Sequence, residues 1–391
     1  MDITANKATR ILEFLRSRQP QMTELLIAMV KAESPSHDKS SQVPAQEIIC
    51  GALSERGYAV RKIPGKTSGG QLLAAPKNRL SGQPIQLLLG HSDTVWPLGM
   101  MDEMPVQQSD GKLRGPGVYD MKAGLVQAIF ALEAVKAVDE TPTVTPVMFI
   151  NTDEEIGSAE SKSNINRLAR ISDRAFVMEP SLGQSGKLKT ARKGVGRFIV
   201  KVIGRASHAG LAPEKGRSAI HELSHVIQAL FALNDLEKGI AVNVGLVDGG
   251  QRPNVIAPEA SATVDVRVLT QEDARYIEQA ILSLQPTIEG TQLEFSGGIG
   301  RPPMEKTPGN QQLWKFAQQS AEAMNLPIEE GTAGGGSDGN FTSLLCPTLD
   351  GMGAVGDGAH ALNEFVFVDK MPERAALLAS MLLLPAMKNA D

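Results

Sequence analysis

The sequence predicts an α/β domain with a mostly parallel sheet and helices on both faces, interrupted by a smaller inserted α+β domain of the ferredoxin-like type. Two observations predict the first domain: short continuous apolar runs suit strands buried on both faces, and stretches of helical periodicity alternate with them. A third observation predicts the insertion, because near residue 186 the pattern changes to alternating strands in the order β-α-β-β-α-β. A chain of 391 residues is long enough for two or three domains.

The elements of the first domain follow from hydrophobic spacing. Apolar residues recur at helical intervals over 7–31 and over 43–56, where Gly57 ends the second helix. Strands and helices then alternate, with strands predicted at 86–89, 147–150 and 175–178 and helices at 121–138 and 159–169. Such alternation is typical of parallel strands joined by crossover helices.

The inserted domain begins with a strand in which apolar and polar residues alternate. Its strands are predicted at 198–202, 241–247, 262–268 and 291–295, and its helices at 217–233 and 271–284. After Gly297 the first pattern returns, with helices at 311–324 and 375–387. We therefore expect the first domain to comprise 1–185 and 297–391 and the insertion to comprise 186–296.

Composition excludes several classes of protein. The chain has 39 basic and 44 acidic residues, a net charge of -5, which argues against a nucleic-acid-binding surface. Residues 1–10 are polar and show no signal peptide, and the apolar stretch 375–387 is too short to span a membrane. We expect a cytoplasmic protein whose partners are small molecules.

The chain contains only two cysteines, Cys50 and Cys346, so no thiolate-rich metal site or disulfide framework can form. A bound metal would therefore depend on histidines and carboxylates. Groups of these types stand just beyond predicted strands or at a helix start, namely His91 with Asp93, Asp120, Glu154 with Glu155, Glu179, and His360. Because ligands bind beyond the carboxyl ends of strands in open parallel sheets, we expect these groups to converge.

The mixture of ligand types predicts a pair of ions. Two histidines and three carboxylates exceed the needs of one four-coordinate ion, but they fit two ions that share a bridging carboxylate. Asp120 is the candidate bridge. Asp93, two residues after His91, is a candidate to hold that imidazole in place.

The adjacent acids Glu154 and Glu155 suggest hydrolytic chemistry. Neighbouring side chains at the end of a strand point in different directions, so one can ligate a metal while the other faces a metal-bound water. Such a water needs a nearby base to accept its proton.

Several sequence motifs resemble those of the dinuclear zinc aminoacylase/carboxypeptidase family of metallopeptidases, most closely its folate-cleaving glutamate carboxypeptidases. The motifs are G-H-S-D-T-V (90–95), G-P-G-V-Y-D-M-K-A-G (115–124), D-E-E-I-G-S (153–158), M-E-P (178–180), S-H-A-G (207–210), G-G-S-D (335–338) and G-A-H-A-L-N-E (358–364). They occur in the family's order over essentially the whole chain.

The resemblance implies a role for each residue of the metal centre. His91 and Glu179 would bind one zinc ion, Glu155 and His360 the other, and Asp120 would bridge them. Glu154 would be the general base and Asp93 would orient His91. The resemblance also implies a cis peptide bond between Asp120 and Met121.

The inserted domain resembles the family's lid, which implies a homodimer formed through it. His208 would polarise the scissile carbonyl, and Arg267 with Asn254 would bind the terminal carboxylate of the substrate. The further substrate-binding candidates are Gly335, Gly336, Lys187 and Arg301.

Together these features predict a dinuclear zinc hydrolase that releases a C-terminal amino acid, with glutamate as the best candidate, from N-acyl or folate-like conjugates. A metal-bound water would be the nucleophile. Co²⁺ or Mn²⁺ would also suit this ligand set. Deacylation of acetylornithine, succinyl-diaminopimelate or other N-acyl amino acids is the alternative within the same family.

Two rival motifs predict other classes of hydrolase. His221-Glu222-Leu223-Ser224-His225 matches the H-E-x-x-H motif of zincins, although Gln228 replaces the glycine of the metzincin pattern. Gly335 to Gly339 matches the G-x-S-x-G elbow of a serine hydrolase, with Ser337 as nucleophile, although no strand is predicted before it.

Overall fold

A computed structural model describes residues 5–79 and 82–387, and the chain divides into two compact units. The first unit comprises Met1–Thr190, Lys306–Thr332 and Ser337–Asp391, and the second comprises Ala191–Glu305 and Ala333–Gly336. The expected boundary between 296 and 297 falls inside a strand, Gln292–Arg301, which belongs entirely to the second unit.

The structure has the following helices and strands in chain order. The helices are α1 (Ala5–Ser17), α2 (Gln19–Lys31), α3 (Gln42–Glu55), α4 (Ala123–Ala137), α5 (Lys162–Ile171), α6 (Ala219–Phe231), α7 (Gln271–Leu282), α8 (Pro308–Glu322), α9 (Gly339–Thr342) and α10 (Lys370–Leu382). The strands are β1 (Tyr58–Ile63), β2 (Gln71–Pro76), β3 (Ile85–His91), β4 (Gln107–Ser109), β5 (Lys112–Arg114), β6 (Thr145–Asn151), β7 (Ser172–Val177), β8 (Leu188–Arg192), β9 (Gly194–Ile203), β10 (Ala241–Gly249), β11 (Glu259–Val268), β12 (Gln292–Arg301), β13 (Glu330–Ala333), β14 (Thr348–Leu349), β15 (Gly356–Asp357) and β16 (Phe365–Phe367).

The central sheet of the first unit is mostly parallel, as predicted. Its strand order is β1-β2-β6-β3-β7-β14, in which β6, β3, β7 and β14 run parallel. Strand β2 pairs antiparallel with β6, and β1 pairs antiparallel with β2. These two strands were not predicted; β1 lies at the edge of the sheet, where only one of its six residues is buried, so it lacks the continuous apolar pattern of the central strands.

Helices cover both faces of this sheet. All seven residues of β3 are buried, which explains its continuous apolar sequence. Leu88 packs in one core with residues of α1, α2, α4 and α10, whereas Leu87 and Leu89 pack in another core with α5 and α9. Successive side chains of a strand point to opposite faces, so β3 contributes to both layers.

Several helix boundaries differ from the predicted ones; α10, for example, spans Lys370–Leu382 instead of 375–387. Two of the differences have a clear cause in the backbone. The periodic segment 7–31 is broken at Arg18, and Pro20 lies in the first turn of α2, where a missing N–H is tolerated. Helix α4 begins at Ala123 because Asp120 and Met121 have non-helical backbone angles. None of the helices in the described part of the chain is long and apolar enough to cross a membrane.

The second unit has the predicted split βαβ arrangement. Strands β9 to β12 form an antiparallel sheet in the order β10-β11-β9-β12. Every second residue of β11 is buried, and these residues form one apolar core with α6 and α7. The sheet therefore has one face covered by helices, as its alternating sequence indicates.

Gly124, in the first turn of α4, provides a test of the packing beneath the ligand-bearing loops. A Cβ atom at this position would overlap the backbone carbonyl oxygen of Met178. We expect Gly124→Ala to lower the free energy of unfolding by about 1–3 kcal/mol, the usual effect of overpacking. Gly51→Ala is the matched control, because Gly51 in α3 faces open space and alanine there should be neutral or stabilising by about 0.5–1 kcal/mol. Equal urea midpoints for the two variants would contradict this packing.

Candidate functional site

The predicted ligands stand at one edge of the central sheet. His91 is the last residue of β3, Glu155 follows β6, and Glu179 follows β7. His360 lies just after β15, which the chain reaches from the carboxyl end of β14. Because β6, β3, β7 and β14 are parallel neighbours, their carboxyl ends lie side by side, and the segments that follow them converge.

The converging side chains form two groups that share Asp120. In the first group, Nε2 of His91 lies 3.3 Å from Oδ1 of Asp120 and 3.4 Å from Oε1 of Glu179. In the second, Nε2 of His360 lies 3.4 Å from Oδ2 of Asp120 and 3.2 Å from Oε2 of Glu155. In the described residues these are the two groups with ligand spacing. Each oxygen of Asp120 faces one group, which is the geometry that a bridging carboxylate requires.

The polar atoms of the two groups fit metal ions. Nε2 of His91, Oδ1 of Asp120 and Oε1 of Glu155 are buried, and none of them has a hydrogen-bond partner. A buried polar atom without a partner costs about 1–3 kcal/mol, and such atoms are rare in proteins. A divalent ion in each group would give these atoms a partner, and the imidazole and carboxylate donors suit zinc, cobalt or manganese.

The pKa values of the cluster are shifted because its acidic side chains are buried close together and beside two imidazoles. Burial and the nearby Asp120 carboxylate raise the pKa of Glu155 to about 7, against the opposing effect of His360. The carboxylates of Asp120 and Glu155 raise the pKa of His360 to about 10. Burial opposes the ionisation of Asp120, but His360 and His91 outweigh it and lower the pKa of this carboxyl. The site therefore favours positive charge between its acids.

The segment that carries Asp120 is held in an unusual conformation. Val118–Lys122 form a single wide turn in which Asp120 has non-helical backbone angles, and the peptide bond from Asp120 to Met121 is cis, as the family resemblance implies. The amide groups of Tyr119 and Asp120 donate hydrogen bonds to the carboxylate of Glu364, over 2.8 and 3.0 Å. Sequence reasoning included Glu364 in a motif but gave it no role.

Asp93 connects His91 with the acidic pair. Nδ1 of His91 lies 3.0 Å from the backbone carbonyl oxygen of Asp93 and 3.4 Å from its carboxylate. The Asp93 carboxylate accepts hydrogen bonds from the amides of Glu154 and Glu155, over 3.3 and 3.2 Å, and from the Ser36 hydroxyl, over 2.8 Å. Asp93 thus orients the imidazole mainly through its main chain, and its side chain fixes the loop that carries the predicted base.

The three consecutive acids of the D-E-E motif have different surroundings. Asp153 accepts hydrogen bonds from the amides of Glu160 and Ser161 and so closes the turn after β6. Glu155 faces His360 in the second ligand group. Glu154 is buried beside them and is not a member of either ligand group. This division leaves Glu154 as the candidate base.

His208 of the second unit has a defined tautomer. Its Nδ1 accepts hydrogen bonds from the amides of Gly210 and Leu211, over 3.1 and 3.2 Å. In the neutral ring the proton must therefore lie on Nε2. The ring is exposed and can donate this hydrogen bond to a ligand.

The other predicted substrate-binding residues of the second unit already have protein partners. The guanidinium of Arg267 binds Asp265 through Nε and Nη2, over 2.8 and 3.0 Å. The backbone carbonyl of Asn254 accepts a hydrogen bond from the amide of Ala209, the residue after His208, over 3.0 Å. Asn254 therefore lies next to the S-H-A-G motif, while Arg267 lies on β11.

Three of the remaining candidates belong to the second unit and one belongs to the first. The carbonyls of Gly335 and Gly336 accept hydrogen bonds from Arg192, each over 3.2 Å. Arg301 is the last residue of β12 and packs beside Gly336. Lys187 belongs to the first unit, where its ammonium lies 2.7 Å from Glu329. Their roles toward a substrate stay predictions.

The H-E-x-x-H motif serves a structural purpose in α6. The buried carboxylate of Glu222, which would be the base of a zincin, accepts hydrogen bonds from the amides of Thr287 and Ile288. The rings of His221 and His225 contact each other at 4.9 Å, and neither ring belongs to a ligand group in the described residues. The geometry therefore gives the zincin interpretation no support.

The serine of the G-x-S-x-G motif is fully buried. Its hydroxyl donates to Asp350 over 2.6 Å and accepts from the amide of Gly339 over 3.0 Å. No imidazole in residues 5–79 and 82–387 hydrogen-bonds to Ser337, while His360 faces Asp120 and Glu155. A nucleophile needs an adjacent base, so this serine lacks the arrangement of a serine hydrolase.

Comparison with known proteins identifies the family to which the chain belongs. Residues 87–384 match peptidase family M20/M25/M40. The chain belongs to this family. An M20 protein of this kind is a metallohydrolase of amide or peptide bonds, which agrees with the two ligand groups at the edge of the sheet.

Individual M20 relatives resemble the chain over most of its length. Carboxypeptidase G2 of Pseudomonas sp. (strain RS-16) is 28% identical over 376 residues, which cover 93% of this chain and 89% of that relative. Succinyl-diaminopimelate desuccinylase of Delftia acidovorans is 27% identical over 376 residues, which cover 90% of this chain and 94% of that relative. The YxeP protein of Bacillus subtilis, described as a dinuclear metal-binding peptidase, has the same fold with a TM-score of 0.67 at 15% identity, covering 94% of this chain and 98% of YxeP.

Two histidine substitutions distinguish the metal centre around Asp120 from the rival H-E-x-x-H motif of α6. We expect His91→Ala to reduce the zinc content from two ions per chain to one or none, because this imidazole belongs to the first ligand group. His221→Ala should retain both ions. The measurement is metal analysis by mass spectrometry after chelator treatment, reloading with zinc and dialysis. The opposite pattern of metal loss would establish the helix α6 motif as the metal site.

Proposed function

We propose that this M20 protein is a zinc-dependent hydrolase that releases a C-terminal amino acid, with glutamate the best candidate, from N-acyl or folate-like conjugates. The observation that carries the proposal is the pair of ligand groups that share Asp120, with Glu154 buried beside them. The similarity to carboxypeptidase G2 over 93% of the chain supports the carboxypeptidase assignment. The predicted substrate is a small N-acyl amino acid or short peptide.

The chemistry of the chain's own residues then follows from their placement. When bound, two divalent ions supply Lewis acidity at the scissile carbonyl and acidify water. Glu154 accepts a proton from the water whose oxygen bonds to the carbonyl carbon, and it delivers this proton to the amine as the C–N bond breaks. Asp93 holds the amide of Glu154 and so fixes the position of the base.

Two residues of the second unit are proposed to act on the substrate. His208 would donate from Nε2 to the developing oxyanion, because its Nδ1 already accepts two backbone hydrogen bonds. Arg267 would bind the terminal carboxylate through Nη1, since Asp265 occupies Nε and Nη2. Asn254 would assist it. These roles rest on the motifs and on the local geometry of each side chain.

The surface of the ligand-bearing loops favours an apolar acyl group over an anionic one. The loops 92–99, 152–158 and 356–364 contain no lysine or arginine, and the loop 178–187 contains one cation, Lys187. They expose large apolar side chains, namely Val95 (42%), Leu98 (61%), Ile156 (45%) and Leu362 (66%). Lys187 is already paired with Glu329 over 2.7 Å, so a succinyl carboxylate would have to compete for the one cation of these loops. This composition supports a conjugate with an aromatic or aliphatic acyl group, rather than the deacylase alternative that handles succinyl groups.

We also propose that the protein forms a homodimer through the second unit. Strand β10 lies at an edge of its sheet and exposes Leu246 (70%) and Val247 (59%). An exposed apolar edge strand is a site for pairing with another chain. Pairing with a second copy would cover it.

A substrate panel tests the proposed function. We expect zinc-loaded protein to release glutamate from p-aminobenzoyl-glutamate and folate, and to act poorly on N-succinyl-diaminopimelate and N-acetylornithine. Glu154→Gln should retain two ions and lose about 10²–10⁴-fold in kcat, the usual contribution of a general base. The matched control is Glu222→Gln, which alters a buried glutamate of the second unit and should keep full activity. Full activity of Glu154→Gln would refute the base assignment, and preference for the succinyl substrate would favour the deacylase.

A charge introduced beside His360 should alter acyl selectivity. We expect Leu362→Lys to lower kcat/KM for p-aminobenzoyl-glutamate by about tenfold, since it loses about 1–3 kcal/mol of apolar contact. The same change should raise kcat/KM for a succinyl conjugate. Ile171→Lys is the control, because Ile171 is similarly exposed (61%) but ends α5 at the opposite edge of the sheet. Equal effects of the two substitutions would show that Leu362 does not contact the acyl group.

A further inference from the structure

Glu364 accepts four hydrogen bonds from segments of the metal centre. Its side chain is almost completely buried, with 1% exposed. One carboxylate oxygen accepts from the amide of Gly117 and from the indole of Trp96, both over 2.9 Å. The other accepts from the amides of Tyr119 and Asp120, over 2.8 and 3.0 Å. Both oxygens therefore have two donors each.

The four donors belong to separate parts of the metal centre. Trp96 lies in the loop that follows His91, and the other three donors lie in the turn that contains Asp120. Glu364 itself lies only four positions after His360. The amide of Glu364 donates to Ala361, and the amide of Ala361 donates to Gly358, so this segment is a tight turn that relates His360 to Glu364.

We propose that Glu364 is a positioning residue that assembles the metal site before any ion binds. Its carboxylate fixes the turn that carries Asp120 and, through the short turn 358–364, the position of His360. It thereby sets the distance between the bridging carboxylate and the ligands of both ions. Its loss should weaken both ion positions together, although Glu364 bonds to the main chain of Asp120 and not to its carboxylate. The inference rests on the two-ion site and not on the proposed substrate.

Charge and geometry together favour this role over simple packing. Hydrogen bonds to a carboxylate are stronger than those between neutral groups. A backbone amide, unlike a side-chain donor, cannot leave the carboxylate by a change of its own rotamer. Three of the four donors are backbone amides, so Glu364 fixes the path of the main chain in this turn. Residues that orient metal ligands in this way usually change metal affinity by about 10–100-fold when they are replaced.

The first test compares zinc binding by chelator-treated protein, measured by calorimetry with a competing chelator. We expect Glu364→Gln to bind both ions about 10–100-fold more weakly, because its amide group replaces an acceptor for two of the donors. Glu222→Gln is the matched control, since Glu222 is also buried and accepts backbone amides, but in the second unit. It should lose stability without losing zinc affinity. Unchanged zinc affinity of Glu364→Gln would overturn the proposal.

The second test uses the unaltered protein and so does not depend on the folding of a variant. We expect amide hydrogen exchange over 115–122 to be slow after zinc removal, because the Glu364 bonds join protein groups directly and do not pass through an ion. Fast exchange that slows only when zinc is added would show that the ions order this turn, and it would overturn the proposal. A wild-type protein that binds no divalent ion would overturn it as well. Two bound ions without cleavage of any conjugate would refute the proposed function alone.

Discussion

The position of the Asp120 carboxylate between two imidazoles is the constraint on which the rest of the site depends. Its two oxygens face His91 and His360 at 3.3 and 3.4 Å, and one of them is buried without a hydrogen bond. A buried carboxylate in such surroundings is stable only beside positive charge. The parallel sheet makes this possible, because the segments that follow its neighbouring strands bring further acids and imidazoles to one point without exposing the core.

Several acids of the site bind the main chain and are not available as ligands. Asp93 holds the amides of Glu154 and Glu155, and Glu364 holds the turn of Asp120. Ordered loops are needed because a ligand misplaced by even 1 Å loses much of its value to a catalytic site. Neighbouring acids in one motif can therefore be assigned to two kinds. The carboxylate oxygens of the first kind accept hydrogen bonds from backbone amides, and those of the second kind face imidazole rings. Asp153 belongs to the first kind and Glu155 to the second.

The sequence was sufficient for the buried strands and for the grouping of ligands, but not for the features that depend on tertiary contacts. Strand β3 is apolar throughout because both of its faces are covered, so its pattern is visible, whereas the half-exposed edge strand β1 has no such pattern. The H-E-x-x-H motif of α6 illustrates the converse, since Glu222 has the residue type of a base but serves as an acceptor for two loop amides. Glu364 was overlooked because acceptors of backbone amides have no characteristic spacing in the sequence. Its only signal was its place in the motif of His360.

The placement of ligands and exposed side chains on the same loops explains how M20 proteins can share a metal centre and differ in substrate. His360 is held by contacts with Asp120 and Glu155, whereas Leu362, two residues later, is 66% exposed and has few constraints. A change at such a position alters the surface offered to an acyl group without moving a ligand. This agrees with the similar identities, 28% and 27%, to relatives named for a carboxypeptidase and a desuccinylase. Overall similarity therefore identifies the class of reaction, and the proposed choice of substrate depends on the exposed residues between the ligand candidates.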